Sequence, residues 1–268
     1  MHIRRKKWAR PELHASPFFE EDGTGRKGHW RELFPHPDHP LHLEMGCGKG
    51  VSTAQMAAAH PEINYVAVDI SMDVLGDARR NIVRAYGEKP ENIHLMSGDI
   101  SLVETFFDRQ DGPERIYISF CNPWSRRPKH EKRRLTHPRQ LIQYRNMLQE
   151  EGEIWFKTDD LPLFEDSLAY FDLCGFVPVY LTRDLAHSGF APNYVSEHEQ
   201  KYRELGVPIL FGIFRRNQQE SDFDPIRFRL TPGVRERVLT RLKWEPGDSG
   251  NREEAEESEK NDAGENCP

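Results

Sequence analysis

The sequence of 268 residues lacks the features that mark membrane-spanning, secreted or disulfide-rich proteins. It contains no run of 18 apolar residues, so no segment is predicted to cross a membrane as a helix. Met1–Arg10 is basic but is not followed by an apolar stretch, and we therefore expect no secretory signal. The four cysteines, Cys47, Cys121, Cys174 and Cys267, form no C-x-x-C pair, which predicts neither a disulfide framework nor a zinc site. A reducing, cytoplasmic setting is expected.

The net charge of −7 is concentrated at one end of the chain. Residues 245–268 hold nine acidic and two basic side chains, a sum of −7, so residues 1–244 sum to zero. Within this neutral part, Met1–Arg10 has five Lys/Arg and no acid, and Ser125–Arg139 has seven Lys/Arg and one Glu. Solvated surface charge is the commoner meaning of any one such cluster. Two clusters in one chain favour an anionic partner such as RNA.

Composition and periodicity divide the chain into four parts. Residues 1–38 lack periodicity and are predicted to be a basic arm that becomes ordered on the core or on binding. Residues 39–216 are predicted to be one α/β domain. Residues 217–244 are predicted to be an extension packed on the core, with one more helix in the Leu230–Trp244 stretch. Residues 245–268 have almost no apolar side chains and are predicted to be disordered.

Short apolar runs alternate with amphipathic stretches in the central part, a pattern typical of a parallel sheet flanked by helices. Strands are predicted at Leu41–Met45, Tyr65–Val68, Ile93–Met96, Arg115–Phe120, Gly152–Lys157, Val177–Leu181 and Pro208–Phe214. Helices are predicted at Val51–Ala59, Met72–Tyr86, Arg139–Glu150 and Leu163–Cys174. A long loop without a helix is predicted to join the last two strands.

The first predicted strand runs into a glycine-rich turn that precedes the first helix. Gly46, Gly48 and Gly50 allow the backbone to turn tightly and to approach a ligand closely. Asp69 follows at the end of the next strand, where a carboxylate can bind both hydroxyls of a ribose. This combination is compatible with a nucleotide-derived ligand, either a dinucleotide or S-adenosylmethionine.

Two details favour S-adenosylmethionine over a nicotinamide dinucleotide. The spacing is G-x-G-x-G, whereas the pyrophosphate-binding turn of dinucleotide enzymes is G-x-G-x-x-G. Glu44 places an acid beside the turn, where it would repel a pyrophosphate and attract a sulfonium or an ammonium. Asp99, after the third strand, can bind the adenine amino group. A nicotinamide oxidoreductase is therefore the disfavoured alternative.

The segment Ser119–Thr136 follows the fourth predicted strand and combines an Asn-Pro-Trp turn with a basic run. Asn122 offers one acceptor and two donors to the edge of a base, and Trp124 offers a stacking surface. The basic run behind them, which includes His130, can neutralise phosphates. These residue types at a strand end indicate a site for a nucleobase within a nucleic acid.

With these motifs the sequence resembles the bacterial tRNA (guanine-N7)-methyltransferase family, which has an E-x-G-C-G-K-G turn and a D-P-W-P-K-K-R-H-x-K-R-R-L segment. The likeness extends from about Leu41 to Phe214 and includes Lys157-Thr158-Asp159 and Ser196-Glu197-His198-Glu199. The resemblance implies a Rossmann-like, S-adenosylmethionine-dependent methyltransferase with a seven-stranded, mostly parallel sheet whose last strand is antiparallel. It also implies methyl transfer to N7 of a guanosine in the variable loop of tRNA.

The resemblance further implies roles for single residues. The acids that hold the methyl donor correspond to Glu44, Asp69, Asp99 and Asn122, and the last of these is also the family's catalytic position. The positions that contact tRNA correspond to Arg126 or Arg127, Asp159, Ser196 and Glu199. One residue is inserted between the Asn-Pro-Trp turn and His130, so the family's lysine corresponds to either of the two arginines.

Asn122 replaces the family's aspartate, and Ser196 replaces a threonine while keeping the hydroxyl. Guanine N7 has a free lone pair and no proton at neutral pH, so the transfer needs no general base. We therefore expect an active enzyme in which Asn122 positions the base. The alternative is a non-catalytic RNA-binding relative that lost activity through this substitution.

Three further side chains have competing interpretations. Cys121 is expected to be a small buried residue rather than a nucleophile. Asp160 is expected to cap the following helix, and Asp184 is equally compatible with a cap and with substrate contact. The oligomeric state is left open between monomer and homodimer.

Overall fold

The computed structural model describes residues 5–125, 128–217 and 228–244, which form a single sheet with helices on both faces. The strands of these ranges are β1 (Phe19–Glu20), β2 (Leu41–Met45), β3 (Asn64–Asp69), β4 (Ile93–Ser97), β5 (Arg115–Ser119), β6 (Glu153–Thr158), β7 (Phe176–Thr182) and β8 (Leu210–Arg216). The α-helices are α1 (Ala9–His14), α2 (Val51–Ala59), α3 (Met72–Tyr86), α4 (Pro138–Met147), α5 (Leu161–Leu173), α6 (Glu197–Glu204) and α7 (Pro232–Arg241). Short 3₁₀ helices lie at Gly23–Arg26, Trp30–Leu33, Ile100–Thr105, Pro128–Arg133 and Leu185–His187.

The strand order is β1-β4-β3-β2-β5-β6-β8-β7. Strands β1 to β6 pair in parallel, and β8 lies antiparallel between β6 and β7. The strand order reverses at β2. The chain passes from β2 to β3 on one side, and β5 pairs with β2 on the other side. Ligands of open α/β sheets bind at the carboxyl ends of the strands beside such a switch point. The predicted Rossmann-like sheet and its antiparallel last strand are confirmed.

The apolar pattern of β2 explains how the sheet is covered. All five of its residues are buried, as expected for a parallel strand with helices on both faces. Leu41, Leu43 and Met45 pack in the core cluster that contains residues of α4 and α5. The opposite face of the sheet packs against α2 and α3. Glu44 therefore lies on the α2 side, because successive side chains of a strand alternate between faces.

The structure differs from the sequence-based prediction at two places. The connection between β7 and β8 contains the helix α6, where a loop was predicted, so this expectation was wrong. The sequence of α6 is strongly polar, and Glu199 is its one buried residue. The helix therefore has no apolar periodicity that the sequence could reveal. The sheet has eight strands rather than seven, because Phe19–Glu20 from the predicted arm pairs with β4.

The N-terminal residues that the structure describes are attached to the core. Ala9 is fully buried, and α1 packs on α3. The backbone N–H of Lys6 donates to Asp73 Oδ1 at 2.6 Å, and the Trp8 ring lies 3.3 Å from the Arg80 guanidinium carbon. Residues 5–38 thus pack on the domain.

Helix α7 packs on α5 within the predicted extension, and Trp244 is buried against Phe164. The predicted tail at residues 245–268 lies outside the described residues. None of the helices described by the structure is long and apolar enough to span a membrane.

Candidate functional site

The glycine turn after β2 is bound to the end of β3. Gly46, Gly48 and Gly50 all have positive φ, at 82°, 56° and 62°, a conformation that glycine adopts without the strain a side chain would add. The Gly46 N–H donates to Val68 O at 2.8 Å, and the Gly48 N–H donates to Asp69 Oδ2 at 3.1 Å. A Cβ on Gly48 would meet nothing within 4 Å, so this part of the turn borders open space that a ligand can fill.

Asp69 ends β3 and faces the turn. Its second carboxylate oxygen, Oδ1, accepts the Ser71 N–H at 2.9 Å. Burial raises the pKa of Asp69, although the backbone donors at Ser71 and Gly48 oppose the shift. The carboxylate is therefore held rigidly by the backbone beside the glycine turn.

Glu44 is almost completely buried, with 3% of its surface exposed. The hydroxyl groups of Thr53 and Ser52, in the first turn of α2, donate to its two oxygens. Burial raises the pKa of Glu44 to about 7, while Thr53 and the Lys157 ammonium oppose the shift. A cationic ligand that came within reach would stabilise the ionised form.

Asp99 lies after β4, at the same edge of the sheet, and it is exposed. Its Oδ1 accepts the Ser101 N–H at 2.9 Å, so Asp99 caps the following 3₁₀ helix. The Gly98 N–H donates to Asp69 O at 3.1 Å, which places the ends of β3 and β4 side by side. Glu44, Asp69 and Asp99 thus belong to the ends of three adjacent strands, as predicted.

Asn122 organises the turn after β5. Its Oδ1 accepts the Trp124 N–H at 3.0 Å, and Trp124 has a positive φ of 50°. The Asn122 side chain is exposed, and its Nδ2 has no partner among the residues that the structure describes. Asn122 therefore shapes the turn with one atom and presents two N–H donors with the other.

Trp124 is half-buried and is not a free stacking surface in this structure. The Arg133 guanidinium carbon lies 5.1 Å from the centre of its ring, and the His130 ring meets it edge to face at 5.9 Å. A base that stacks on Trp124 must use the opposite face or displace Arg133.

The basic run contains groups with different environments. Arg126 and Arg127 lie outside the described residues. Arg134 is buried, with Nε donating to Pro123 O at 2.7 Å and one terminal nitrogen bound to Asp166 of α5 at 2.7 Å. Arg134 therefore holds the Asn-Pro-Trp turn on the core and does not face solvent, unlike a phosphate-binding residue.

The predicted tRNA-contacting residues of the second half are brought together at α6. The Ser196 Oγ accepts the Glu199 N–H at 3.1 Å and caps the helix. Asp159, after β6, lies 3.3 Å from His198 Nε2 of the same helix. Glu199 is fully buried and binds Lys157 at 3.1 Å, so its carboxylate lies behind the surface of the site.

Three competing interpretations can be compared with these contacts. Asp160 accepts the Leu163 N–H at 2.8 Å and caps α5, as expected. Asp184 accepts the Ala186 N–H at 3.1 Å and contacts His187, so it has the geometry of a cap. Burial raises the pKa of Cys121 to about 12, which keeps the thiol protonated at neutral pH.

Sequence reasoning missed Lys157 and Asn193 as members of the site. Lys157 Nζ contacts Asn193 Oδ1 at 2.5 Å, and Asn193 Nδ2 donates to Glu199 Oε1 at 2.7 Å. The detectable signal for Lys157 was a charged residue directly after the apolar run Ile154–Phe156 of its strand. Asn193 lies in an irregular loop, and its position follows only from the tertiary structure.

The residues at this sheet edge fit a cationic, ribose-containing ligand. They supply two carboxylates and a left-handed glycine turn that borders open space. In the part of the chain that the structure describes, no group of three or more His, Cys, Asp or Glu could hold a metal ion. The donor set therefore matches the charge and the hydroxyls of S-adenosylmethionine.

Comparison with known proteins shows the family. Residues 38–211 match the model of a family described as putative methyltransferases. A tRNA (guanine-N(7)-)-methyltransferase of Clostridium perfringens strain SM101 is 50% identical over 219 residues, which cover 81% of this chain and 100% of the relative. A Clostridium botulinum Eklund 17B enzyme of the same name is 51% identical, over 80% of this chain and 98% of the relative. A Desulfitobacterium hafniense enzyme of that name is 45% identical, over 81% and 100%. The chain therefore belongs to the tRNA (guanine-N7)-methyltransferase family.

Proposed function

We propose that this protein transfers a methyl group from S-adenosylmethionine to N7 of a guanosine in the variable loop of tRNA. The observation that carries the proposal is the meeting of two carboxylates, a left-handed glycine turn and the Asn-Pro-Trp segment at one sheet edge. Leu135 of that segment reaches the turn, because a Cβ on Gly46 would lie 3.5 Å from its methyl group. The names of relatives that cover most of the chain support the substrate.

The donor side of the site consists of Glu44, Asp69 and the glycine turn, with Asp99 at its outer edge. Asp69 would bind the ribose hydroxyls, and Glu44 would face the ammonium of the methyl donor, which S-adenosylhomocysteine also carries. Asp99 would accept from the adenine amino group. Asn122 lies where the donor and the acceptor base must meet.

The substrate side consists of Asn122, Trp124, Arg126, Arg127, Asp159, Ser196 and Glu199. In the reaction the N7 lone pair forms a bond to the methyl carbon, the carbon–sulfur bond breaks, and its electron pair stays on sulfur. The positive charge moves from sulfur to the guanine, and no proton has to be transferred. The protein therefore needs to align the two reactants, to exclude water and to stabilise charge on the base.

Asn122 can perform the alignment without the negative charge of an aspartate. Its Oδ1 holds the turn, and its exposed Nδ2 would donate to a base edge. The missing charge on this side chain is expected to lower the rate by about 10-fold or more relative to aspartate. The reaction itself is retained, because no general base is required.

Nucleoside analysis tests the proposal. We expect 7-methylguanosine in tRNA that lacked this modification after incubation with the protein and S-adenosylmethionine, and none without the methyl donor. A tRNA whose variable-loop guanosine is replaced by adenosine is the matched substrate control. Protein that binds S-adenosylhomocysteine and tRNA but forms no 7-methylguanosine would instead identify the non-catalytic RNA-binding relative. We also propose that the enzyme acts in the cytoplasm, where tRNA is found.

A further inference from the structure

Lys157 occupies an unusual position at the carboxyl end of β6. It pairs with Ser119 of β5 in the sheet, and its side chain lies on the α2 face because Phe156 points into the opposite core. Only 15% of the side chain is exposed. An ammonium has three N–H donors, and here all three have acceptors, namely Asn193 Oδ1 at 2.5 Å, Tyr194 O at 3.3 Å and Glu199 Oε2 at 3.1 Å.

The partner of Lys157 is a fully buried carboxylate. Glu199 Oε1 accepts from Asn193 Nδ2 at 2.7 Å, and the Arg203 guanidinium lies 3.9 Å from the same oxygen. A buried ion pair is a poor means of stabilisation, because desolvation of both charges offsets most of their attraction. We therefore expect the pair of Lys157 and Glu199 to have a role other than stabilising the fold.

A second carboxylate lies in the same cavity as this ammonium. Glu44 and Lys157 both line a cavity of about 150 Å³ between α2, the sheet and the loop that contains Asn193. Lys157 thus binds the acid of the substrate side and borders the cavity that the acid of the donor side also lines.

We propose that Lys157 is a positioning residue that fixes the segment Asn193–Glu199 on the sheet and places a positive charge at the cavity lined by Glu44, which favours the carboxylate form that receives the methyl donor. This inference rests on the proposed function, because it assigns Glu44 to the methyl donor and the segment to the tRNA side.

The electrostatic environment of Glu44 gives the inference a pH signature. Burial raises the pKa of Glu44 to about 7, and the Lys157 ammonium acts against this shift. Burial lowers the pKa of Lys157, while Glu199 and Glu44 favour its charged form. Without the ammonium the pKa of Glu44 rises further, so less of it is ionised at pH 7. The other titratable or charged groups around Glu44 and Lys157 are Cys47, His60, Tyr65, Asp69, Arg115, Tyr117, Tyr194 and Arg203.

The experiment compares Lys157→Met with three matched variants. Lys157→Arg retains the charge, and the double variant K157M/E199Q removes both charges of the buried pair. Arg241→Met removes one positive charge from an exposed ion pair with Asp172 on the α5–α7 side. Calorimetric titration with S-adenosylhomocysteine from pH 6.5 to 9, thermal melting, and kcat and KM for tRNA are measured for each protein. Protonation of S-adenosylhomocysteine itself changes with pH in the same way for every variant, so it does not affect the comparison between variants.

For Lys157→Met we expect S-adenosylhomocysteine binding to weaken by about 10-fold at pH 7, and this loss should shrink towards pH 9, where Glu44 ionises without help. Lys157→Arg should retain the pH profile of the unaltered protein. The double variant should recover the melting temperature, because no unpaired buried charge remains, yet keep the altered pH profile. The KM of the double variant for tRNA should be higher than that of the unaltered protein, as it should be for Lys157→Met.

Three results would overturn the inference without affecting the proposed function. A loss of affinity in Lys157→Met that is the same at every pH, or recovery of both the melting temperature and the pH profile in the double variant, would make Lys157 structural only. If Lys157→Met matches Arg241→Met, this inference alone is wrong. If the unaltered protein binds no S-adenosylhomocysteine, the proposed function fails and the inference fails with it.

Discussion

The donor side and the substrate side of the site share one sheet edge but are held in different ways. Glu44 lies within β2 and Asp69 ends β3, and both carboxylates are bound by hydroxyl or backbone donors of the protein. Asn122 and Trp124 lie beyond the end of β5 in an irregular turn, and Asn122 is exposed. The donor side is therefore preorganised, whereas the turn after β5 leaves the Asn122 amide available to a large, flexible partner.

Preorganisation of the donor side has a cost in stability. A buried carboxylate that awaits a cation is less stable than a neutral group of the same shape. On the substrate side the exposed Asn122 carries no charge and avoids this cost, whereas Glu199 is buried and offsets it by pairing with Lys157. The following predictions separate the two sides by stability, by affinity and by rate.

The largest expected effect is that Glu44→Gln stabilises the ligand-free protein at high pH. The folded-state pKa of about 7 lies above the ordinary 4.5, so the folded state binds more protons between these values. The free energy of unfolding therefore falls as pH rises through this window. The difference between the two pKa values corresponds to a decrease of about 3 kcal/mol in the free energy of unfolding above pH 7, and Glu44→Gln should remove this decrease. Denaturant unfolding at pH 5 and pH 8 should show the gain at pH 8 and little at pH 5, and equal gains at both would contradict it.

Asp69→Ala should weaken S-adenosylhomocysteine binding by about 100-fold, since two charge-assisted hydrogen bonds to a ribose contribute about 3 kcal/mol together. Because the substrate side is separate, the dissociation constant for tRNA should change little. Calorimetry and a filter-binding assay measure the two affinities. Asp99→Ala is the matched control, and its loss should be smaller, because Asp99 is exposed and binds only through the adenine. Equal losses for the two variants would contradict a preorganised Asp69.

Asn122→Asp should raise kcat by about 10-fold, because a carboxylate stabilises the positive charge that develops on the guanine. The new Oδ1 can still accept the Trp124 N–H, so the turn should persist. Single-turnover kinetics with unmodified tRNA measures the rate, and binding of S-adenosylhomocysteine should stay unchanged. A protein that lacks activity in both forms would be the non-catalytic relative.

The smallest effect is expected in the N-terminal segment. Deletion of residues 1–10 would remove the buried Ala9 and would disturb α1, so point variants are the cleaner test. The exposed Arg5 and Lys7 are changed together to Gln. If both contact phosphates, the slope of log affinity for tRNA against log salt should decrease by about 1.5. Lys6→Gln, which breaks the pair with Asp77, should change the melting temperature instead. An unchanged slope would exclude this segment from tRNA binding.

Much of the fold could be predicted because buried parallel strands and amphipathic helices leave a periodic apolar pattern. The bounds of β2, α2 and α3 coincide with the predicted ranges. Helix α6 escaped prediction because its formation depends on the Ser196 cap and on the buried pair of Glu199 with Lys157, which lies 42 positions earlier in the chain. Such long-range pairs have no local signature.

The same contrast applies to the site. Local sequence placed Glu44, Asp69, Asp99 and Asn122 correctly at strand ends, because strand ends meet at one edge of a parallel sheet. It grouped Arg134 with the phosphate-binding bases, although burial against Pro123 and Asp166 makes that residue part of the core. Charge alone does not reveal whether a basic side chain faces solvent or a buried partner.

The sequence by itself determined the sheet, the glycine turn and the chemistry at each strand end, since each depends on a few neighbouring residues. Only the tertiary structure decided which side chains are bound and which are free. It placed Glu199 behind the surface, joined it to Lys157, and left the Asn122 amide open. Burial and hydrogen bonding depend on residues that are distant in the chain, and these contacts determine which of the charges suggested by the sequence can meet a ligand.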